Sequence, residues 1–151
     1  MSAPVIQPHR YDYLFPPLAE ATVFDAMHAG VISCSPDASP RDVARAMAAH
    51  SVHAVIIEGI GHDAAGHARL SWRVFTDTDL VRSVADLDSG RTVGDLASGQ
   101  IVTIEPGTPL TEAAEVMAER GVTHLVVIHA ARPIGVLSSA DVARTIAWAA
   151  F

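Results

Sequence analysis

A single cysteine, Cys34, stands among the 151 residues, so no internal disulfide can staple the chain and a reducing cytoplasm is the expected compartment. Aromatic residues make up only 5% of the sequence, and no apolar run approaches the ~18–20 residues that a membrane span requires. The opening residues carry Pro4 and Pro8 but no basic stretch followed by an apolar one, so no signal peptide is expected. Positive charge is scarce: ten cationic side chains, all arginine and none clustered, stand against seventeen carboxylates for a net charge of −7. A general nucleic-acid binder needs a basic stripe, and this chain offers none. Catalytic signatures are missing as well. Gly-x-Ser-x-Gly, the P-loop and Gly-x-Gly-x-x-Gly do not occur, and no carboxylates form a visible acid/base pair, so no enzymatic activity is expected. What the chain does have is apolar mass. Half of it is hydrophobic and only 18% charged, which excludes disorder as the main state and suffices for a real core. The length fits one domain, or two small units sharing a core.

Two such units are visible as an internal repeat. At an offset of 70, Thr22-Val23-x-Asp25 falls on Thr92-Val93-x-Asp95, and Val31-Ile32-Ser33 falls on Ile101-Val102-Thr103. Pro36 meets Pro106, and Val43-Ala44-x-x-Met47-Ala48 meets Ala113-Ala114-x-x-Met117-Ala118. The offset then drops to 62, where Thr76-x-x-Asp79-Leu80 meets Ser138-x-x-Asp141-Val142. The first copy therefore carries an insertion of eight residues within the Gly-, Ala- and His-rich stretch 58–68. Apolar matches arise by chance in Ala-rich chains, but a register kept through a Pro, a Met and two hydroxyl-x-x-Asp signatures does not.

Each copy reads as β-α-β-β-α. A short strand at Val31–Ser33 leads through Pro36 to a helix capped by Ser39, opened by Pro40 and running to about His50. In the second copy Thr108 is expected to cap, Pro109 to open the helix through Arg120, and Gly121 to stop it. Apolar strands at Val52–Ile57 and Val122–Ile128 pair by hairpins with Leu70–Phe75 and Ile134–Leu137. Closing helices are expected at about Asp77–Val84 and Ser139–Ala149, and residues 1–21 read as an extended surface arm.

The chemistry concentrates where a strand ends and a helix begins, at Gly135-Val136-Leu137-Ser138-Ser139-Ala140-Asp141. Taken alone, Ser138-x-x-Asp141 is an ordinary capping box. Yet the signature recurs as Thr76-x-x-Asp79, both times at the C-terminal end of a strand. A helix start there offers free amides to a phosphate, a carboxylate can accept both hydroxyls of a ribose, and Gly135 would admit a ligand to the backbone.

With its opening Val23-Phe24-Asp25-Ala26-Met27, the Pro-led turn, the Met-bearing helix, the apolar strand and the hydroxyl-x-x-Asp end, the unit resembles the cystathionine-β-synthase-type (CBS) domain. Over about residues 22–148 the chain resembles a tandem CBS pair, or Bateman module. The resemblance implies an α/β fold of two units related by a pseudo-twofold axis (22–88 and 89–151), usually paired into a flat homodimer. It implies a regulatory module whose clefts bind AMP, ADP, ATP, S-adenosylmethionine or NAD(H), without an obligatory cofactor though with Mg2+ as a companion of a nucleotide, and which acts on a partner protein. Carried onto these residues, Asp141 would hold the ribose diol and Ser138 the ribose or a phosphate. The backbone of Ile101, Val102 and Thr103 and a wall of Leu125 and Val127 would enclose the adenine. The first copy would use Thr76 and Asp79 with Val31–Ser33. Four positions depart from the family pattern. Arg73 stands where the second copy has Gly135, Ala97 where the first has Met27, and Ile56 and Val126 replace a Pro common before the end of the strand. The competing reading is a dimerisation or interaction module with vestigial clefts.

Eight histidines raise the question of a metal, but no pair has the i, i+4 spacing of a helical zinc site and no second cysteine supports a cluster. His62 and His67 are expected in solvent on the insertion. His50, His53 and His124 flank helix-to-strand turns and read first as structural, with one of them able to face the cleft. Asp77 reads as a solvated acid of a helix's first turn and Cys34 as a small filler beside a strand. The apolar end of the chain, Ile146, Ala147, Trp148 and Phe151, points to an interface.

Overall fold

The computed structural model describes residues 17–98 and 101–148. The elements run α1 (Val23–Ala26), β1 (His28–Ala29), β2 (Ser33–Cys34), α2 (Pro40–His50), β3 (Ala54–His62), β4 (Ala68–Thr76) and α3 (Asp77–Arg82). Apart from β1, the second half repeats them among the described residues as α4 (Val93–Leu96), β5 (Thr103–Ile104), α5 (Leu110–Arg120), β6 (His124–His129), β7 (Arg132–Ser138) and α6 (Ser139–Trp148). The α/β duplication is therefore present, with a short helix added at the head of each copy. Two mixed sheets result, ordered β2-β3-β4 and β1-β7-β6-β5. In each sheet a short strand joins the central strand in parallel, β2 on β3 and β5 on β6, and the central strand forms an antiparallel hairpin with the next.

The long helices follow from their sequences. Ser39 accepts the Asp42 amide at 3.1 Å, Pro40 occupies the first turn, and Ser51 ends α2 in the left-handed region at φ 54°. Its buried residues Pro40, Val43 and Met47 recur in α5 as Leu110, Ala113 and Met117, the spacing of one helix face. Gly121 closes α5 at φ 62°. The start of α5 differs from expectation by one residue. Pro109 holds the cap position without a side-chain bond, and Thr108 instead gives its carbonyl to the Val23 amide at 2.9 Å. α3 is also shorter than expected, stopping at Arg82 before a separate 3-10 turn at Val84–Asp86.

The heads of the two copies are exchanged. Val23 and Ala26 of α1 lie in a core with Leu110, Ala113, Met117, Leu125, Val127 and Leu137, all from the second copy. Val93 of α4 lies in the core of the first, among Val43, Met47, Val55, Ile57 and Phe75. Backbone bonds repeat the exchange at the same offset of 70 residues. Val23 and Phe24 amides reach the Thr108 and Pro106 carbonyls, while Val93 and Gly94 amides reach those of Ala38 and Pro36, all at 2.9–3.0 Å. β1 follows α1 across and pairs with β7, His28 against Val136 and Ala29 against Gly135. Such pairing explains Gly135. A Cβ there would collide with the His28 carbonyl oxygen and stand 3.0 Å from the Met27 sulfur. The close approach that this glycine permits is by β1.

The insertion lengthens a hairpin instead of forming a loose loop, since β3 and β4 stay paired out to His62 and Ala68. Asp63 closes its tip by accepting the Ala65 and His67 amides, both at 2.9 Å, and these bonds hold its carboxyl below the usual range. Of the expected N-terminal arm, residues 1–16 lie outside the described residues. The rest is docked: Ala21 is buried, and its carbonyl receives the Leu110 amide at 2.9 Å.

Candidate functional site

Because the heads cross over, each cleft is built from both copies. The larger, with a volume of about 340 Å³, lies among His28 to Ile32, the α2–β3 junction from His50 to Ala54, His124, and Val136, Ser138 and Asp141 of the β7–α6 junction. The smaller, about 170 Å³, gathers Ser98, Val102, Gly121 to His124, Val74, Thr76, Thr78, Asp79 and Arg82. Several lining positions correspond under the repeat, with His28 answering to Ser98, Ile32 to Val102, and Ser138 and Asp141 to Thr76 and Asp79.

This geometry regroups the residues singled out from the sequence. Asp141 and Ser138 share their cleft with Val31, not with Ile101, Val102 and Thr103. Thr76 and Asp79 share theirs with Val102, not with Val31 and Ser33. The Thr-Val-x-Asp heads read as the opening of their own copy but dock on the opposite one. Ser33 and Thr103 are spent on the parallel pairing, opposite Ile56 and Val126. Leu125 and Val127 form no cleft wall. Both are fully buried in the core, because the inward face of a central strand packs under the helices. Arg73 neither fills the smaller cleft nor waits there for a phosphate: its guanidinium donates to the Gly94 carbonyl at 2.8 Å.

Both carboxylates do cap their helices. Asp141 Oδ2 accepts the Ser138 amide at 2.8 Å, and the Asp141 amide donates to Ser138 Oγ at 3.1 Å. Asp79 Oδ2 accepts the Thr76 amide at 2.9 Å and the Thr76 hydroxyl at 3.3 Å. Each side chain is almost entirely buried, at 1% and 2% exposure for Asp141 and Asp79. A charge so buried needs partners, and the two find different ones. Asp141 Oδ1 takes the Arg144 guanidinium at 2.5 Å and His28 Nδ1 at 2.9 Å. Asp79 Oδ1 accepts no hydrogen bond among the described residues.

Histidines line the larger cleft more fully than expected. His28, His50, His53 and His124 all border it, and His53 Nδ1 lies 3.5 Å from Asp77. His124 borders both clefts. Burial pushes its pKa down, with the nearby carboxylates of Asp77, Asp141 and Asp79 opposing, so the ring is neutral at pH 7. Its Nδ1 is 2.9 Å from Thr123 Oγ1, while Nε2 is buried without a partner among the described residues. His62 and His67 are exposed on the hairpin as expected, and Cys34 is half-buried, its thiol pKa raised by burial and by Glu58. Among the described residues no group of three His, Cys, Asp or Glu could hold a metal ion, and no helix is long and apolar enough to cross a membrane.

Chemically, the larger cleft combines an apolar wall (Val31, Ile32, Val52, Val136) with a polar end (Ser138, Asp141) and a rim of imidazoles.

A family model for the CBS domain matches residues 23–86 and 93–147. Among solved structures, the CBS domain pair of protein MJ0100 in complex with 5′-methylthioadenosine and S-adenosyl-L-methionine is 18% identical with a TM-score of 0.67, covering 83% of this chain and 99% of that one. The CBS-domain containing protein ATU1752 from Agrobacterium tumefaciens is 24% identical with a TM-score of 0.66, covering 84% and 94%. Hypoxic Response Protein I with two coordinated zinc ions is 28% identical with a TM-score of 0.59, covering 82% and 98%. No curated protein matches the chain.

Proposed function

The chain belongs to the CBS-domain family, and from that premise we propose that it is a regulatory module that senses an adenosine-containing ligand and signals to a partner protein without catalysing a reaction. The observation that carries this reading is the matched pair of clefts, each ending at a helix start where a hydroxyl-x-x-Asp turn stands beside an apolar wall. Val31, Ile32 and Val136 offer the larger cleft's purine face, and Ser138 with the amides of the α6 start offers the ribose or phosphate end. The bound 5′-methylthioadenosine and S-adenosylmethionine of the MJ0100 pair support the ligand class. A triphosphate ligand would bring its own Mg2+. Signal output would pass through a homodimer, whose formation the exposure of Ile146 and Val81 on the closing helices favours.

One observation favours the second reading, an interaction module with vestigial clefts: Asp141 is already engaged by Ser138, His28 and Arg144. A thermal-shift panel of adenosine, AMP, ATP, 5′-methylthioadenosine, S-adenosylmethionine and NAD separates the two. A ligand at 100 times its Kd should add about 2.7 kcal/mol of stability. No shift with any of them at millimolar concentration would leave the interaction module.

A further inference from the structure

We infer that His28 is a specificity-determining residue that makes the two clefts unequal, by occupying the carboxylate oxygen of Asp141 that a ribose diol would need. The inference rests on the adenosine reading above. A carboxylate has about four acceptor positions, two on each oxygen. On Asp141 three are taken: His28 and Arg144 fill Oδ1, and the Ser138 amide uses one on Oδ2. A vicinal diol brings two donors and finds one position. On Asp79 both positions of Oδ2 are used by Thr76, and both on Oδ1 are open among the described residues. The diol therefore fits the carboxylate of the smaller cleft as it stands, and that of the larger only after His28 withdraws.

The duplication shows two differences at this carboxylate: Arg144 pairs with Asp141 whereas its counterpart Arg82 borders the smaller cleft with no pair to Asp79 among the described residues, and the exposed His28, the partner free to leave, is replaced. The position of His28 in the larger cleft is held by Ser98 in the smaller, whose hydroxyl ends one heavy atom short of an imidazole Nδ1 and makes no bond to Asp79 among the described residues. His28 can withdraw. Its side chain is 55% exposed, and its backbone position is fixed independently by the pairing of β1 with β7. Arg144 keeps Asp141 neutralised when it does so. His28 thus acts as a competitor for the diol. Because the imidazole is half in solvent, the competition is modest, on the scale of a partly screened pair.

The test compares adenosine with 2′,3′-dideoxyadenosine by calorimetry, in protein carrying Asp79→Asn to weaken the diol contact in the smaller cleft. In that background His28→Ser copies the smaller cleft, and His28→Ala serves as a second variant. A change that only loosened packing would alter both ligands alike. Release of Asp141 raises the preference for adenosine over the dideoxy compound by about two- to fivefold. An unchanged or lower preference, with both compounds still binding, overturns the role of His28 and leaves the adenosine reading intact. Failure of every variant to bind either compound overturns both.

Discussion

Replacing Gly135 by Ala should damage the protein far beyond the size of a methyl group. The new Cβ would strike the His28 carbonyl oxygen and press on the Met27 sulfur at 3.0 Å. Met27 can turn aside, but a backbone carbonyl has no rotamer to escape into. β1 would have to move off β7, and it is only two residues long, so little else holds it. The adjoining bond from the Gly30 amide to the Ile134 carbonyl, 2.8 Å, would go with it. Overpacking of this kind costs ~1–3 kcal/mol, and one or two lost backbone bonds add ~1 kcal/mol each, for a total of about 2–5 kcal/mol. At ~2–4 °C per kcal/mol for a chain of this size, Tm should fall by roughly 4–20 °C. Urea melts read the same loss as a lower midpoint at unchanged slope. Gly107→Ala is the control, because nothing lies within 4 Å of its Cβ and its φ is not in the left-handed region. It should stay within ~0.5 kcal/mol of the parent. A Gly135→Ala protein that melts like the parent would refute the packing of β1 on β7, and with it the cross-copy construction of the larger cleft.

Three further outcomes are expected. Ala130 and Ala131 turn the β6–β7 hairpin with φ of 49° and 62°, and replacing them by Asn-Gly should stabilise the protein by about 1 kcal/mol in urea melts, because those residues tolerate the left-handed region. Substituting residues 61–69 by Asn-Gly, joining Ile60 to Leu70 where the strands already pair, should leave Tm within a few degrees, since the hairpin tip closes on its own bonds; a larger loss would mean that the tip supports the body. Burial lowers the His124 pKa from 6.5, so the unfolded chain takes up its proton first as pH falls, and stability present above about pH 6.5 drains away below it, down through the folded-state value. That slope should be shallower in His124→Asn, measured by urea melts between pH 7 and 5; parallel curves would show that the ring does not contribute.

Much of the fold was legible because periodicity and punctuation agreed. Ser39-Pro40 and Gly121 marked helix ends, and the offset of 70 residues carried one assignment onto the other copy. The exchange of heads was not legible. A four-residue helix such as Val23–Ala26 has no periodicity of its own, and which core it enters depends on contacts far along the chain. The site suffered accordingly. Ser138, Asp141, Thr76 and Asp79 were visible as helix starts, but their cleft partners were assigned to the wrong copy. Leu125 and Val127 look the same in sequence whether a strand's side chains face a cleft or a core. Nothing in the sequence could show that His28 reaches Asp141, residues 113 positions apart joined only by the pairing of β1 with β7. The Ala130-Ala131 turn was equally silent, since alanine is not a residue that announces positive φ.

The central claim is that adenosine compounds enter clefts made jointly by the head of one copy and the closing helix of the other. An amide NMR titration of 15N-labelled protein with adenosine tests it directly. Saturable shifts are expected at residues 28–32, 51–54 and 136–141, or at their counterparts 74–79, 98, 102 and 121–124, with the hairpin tip around Asp63 unmoved. Shifts confined to a single copy, or none at millimolar adenosine, would contradict it.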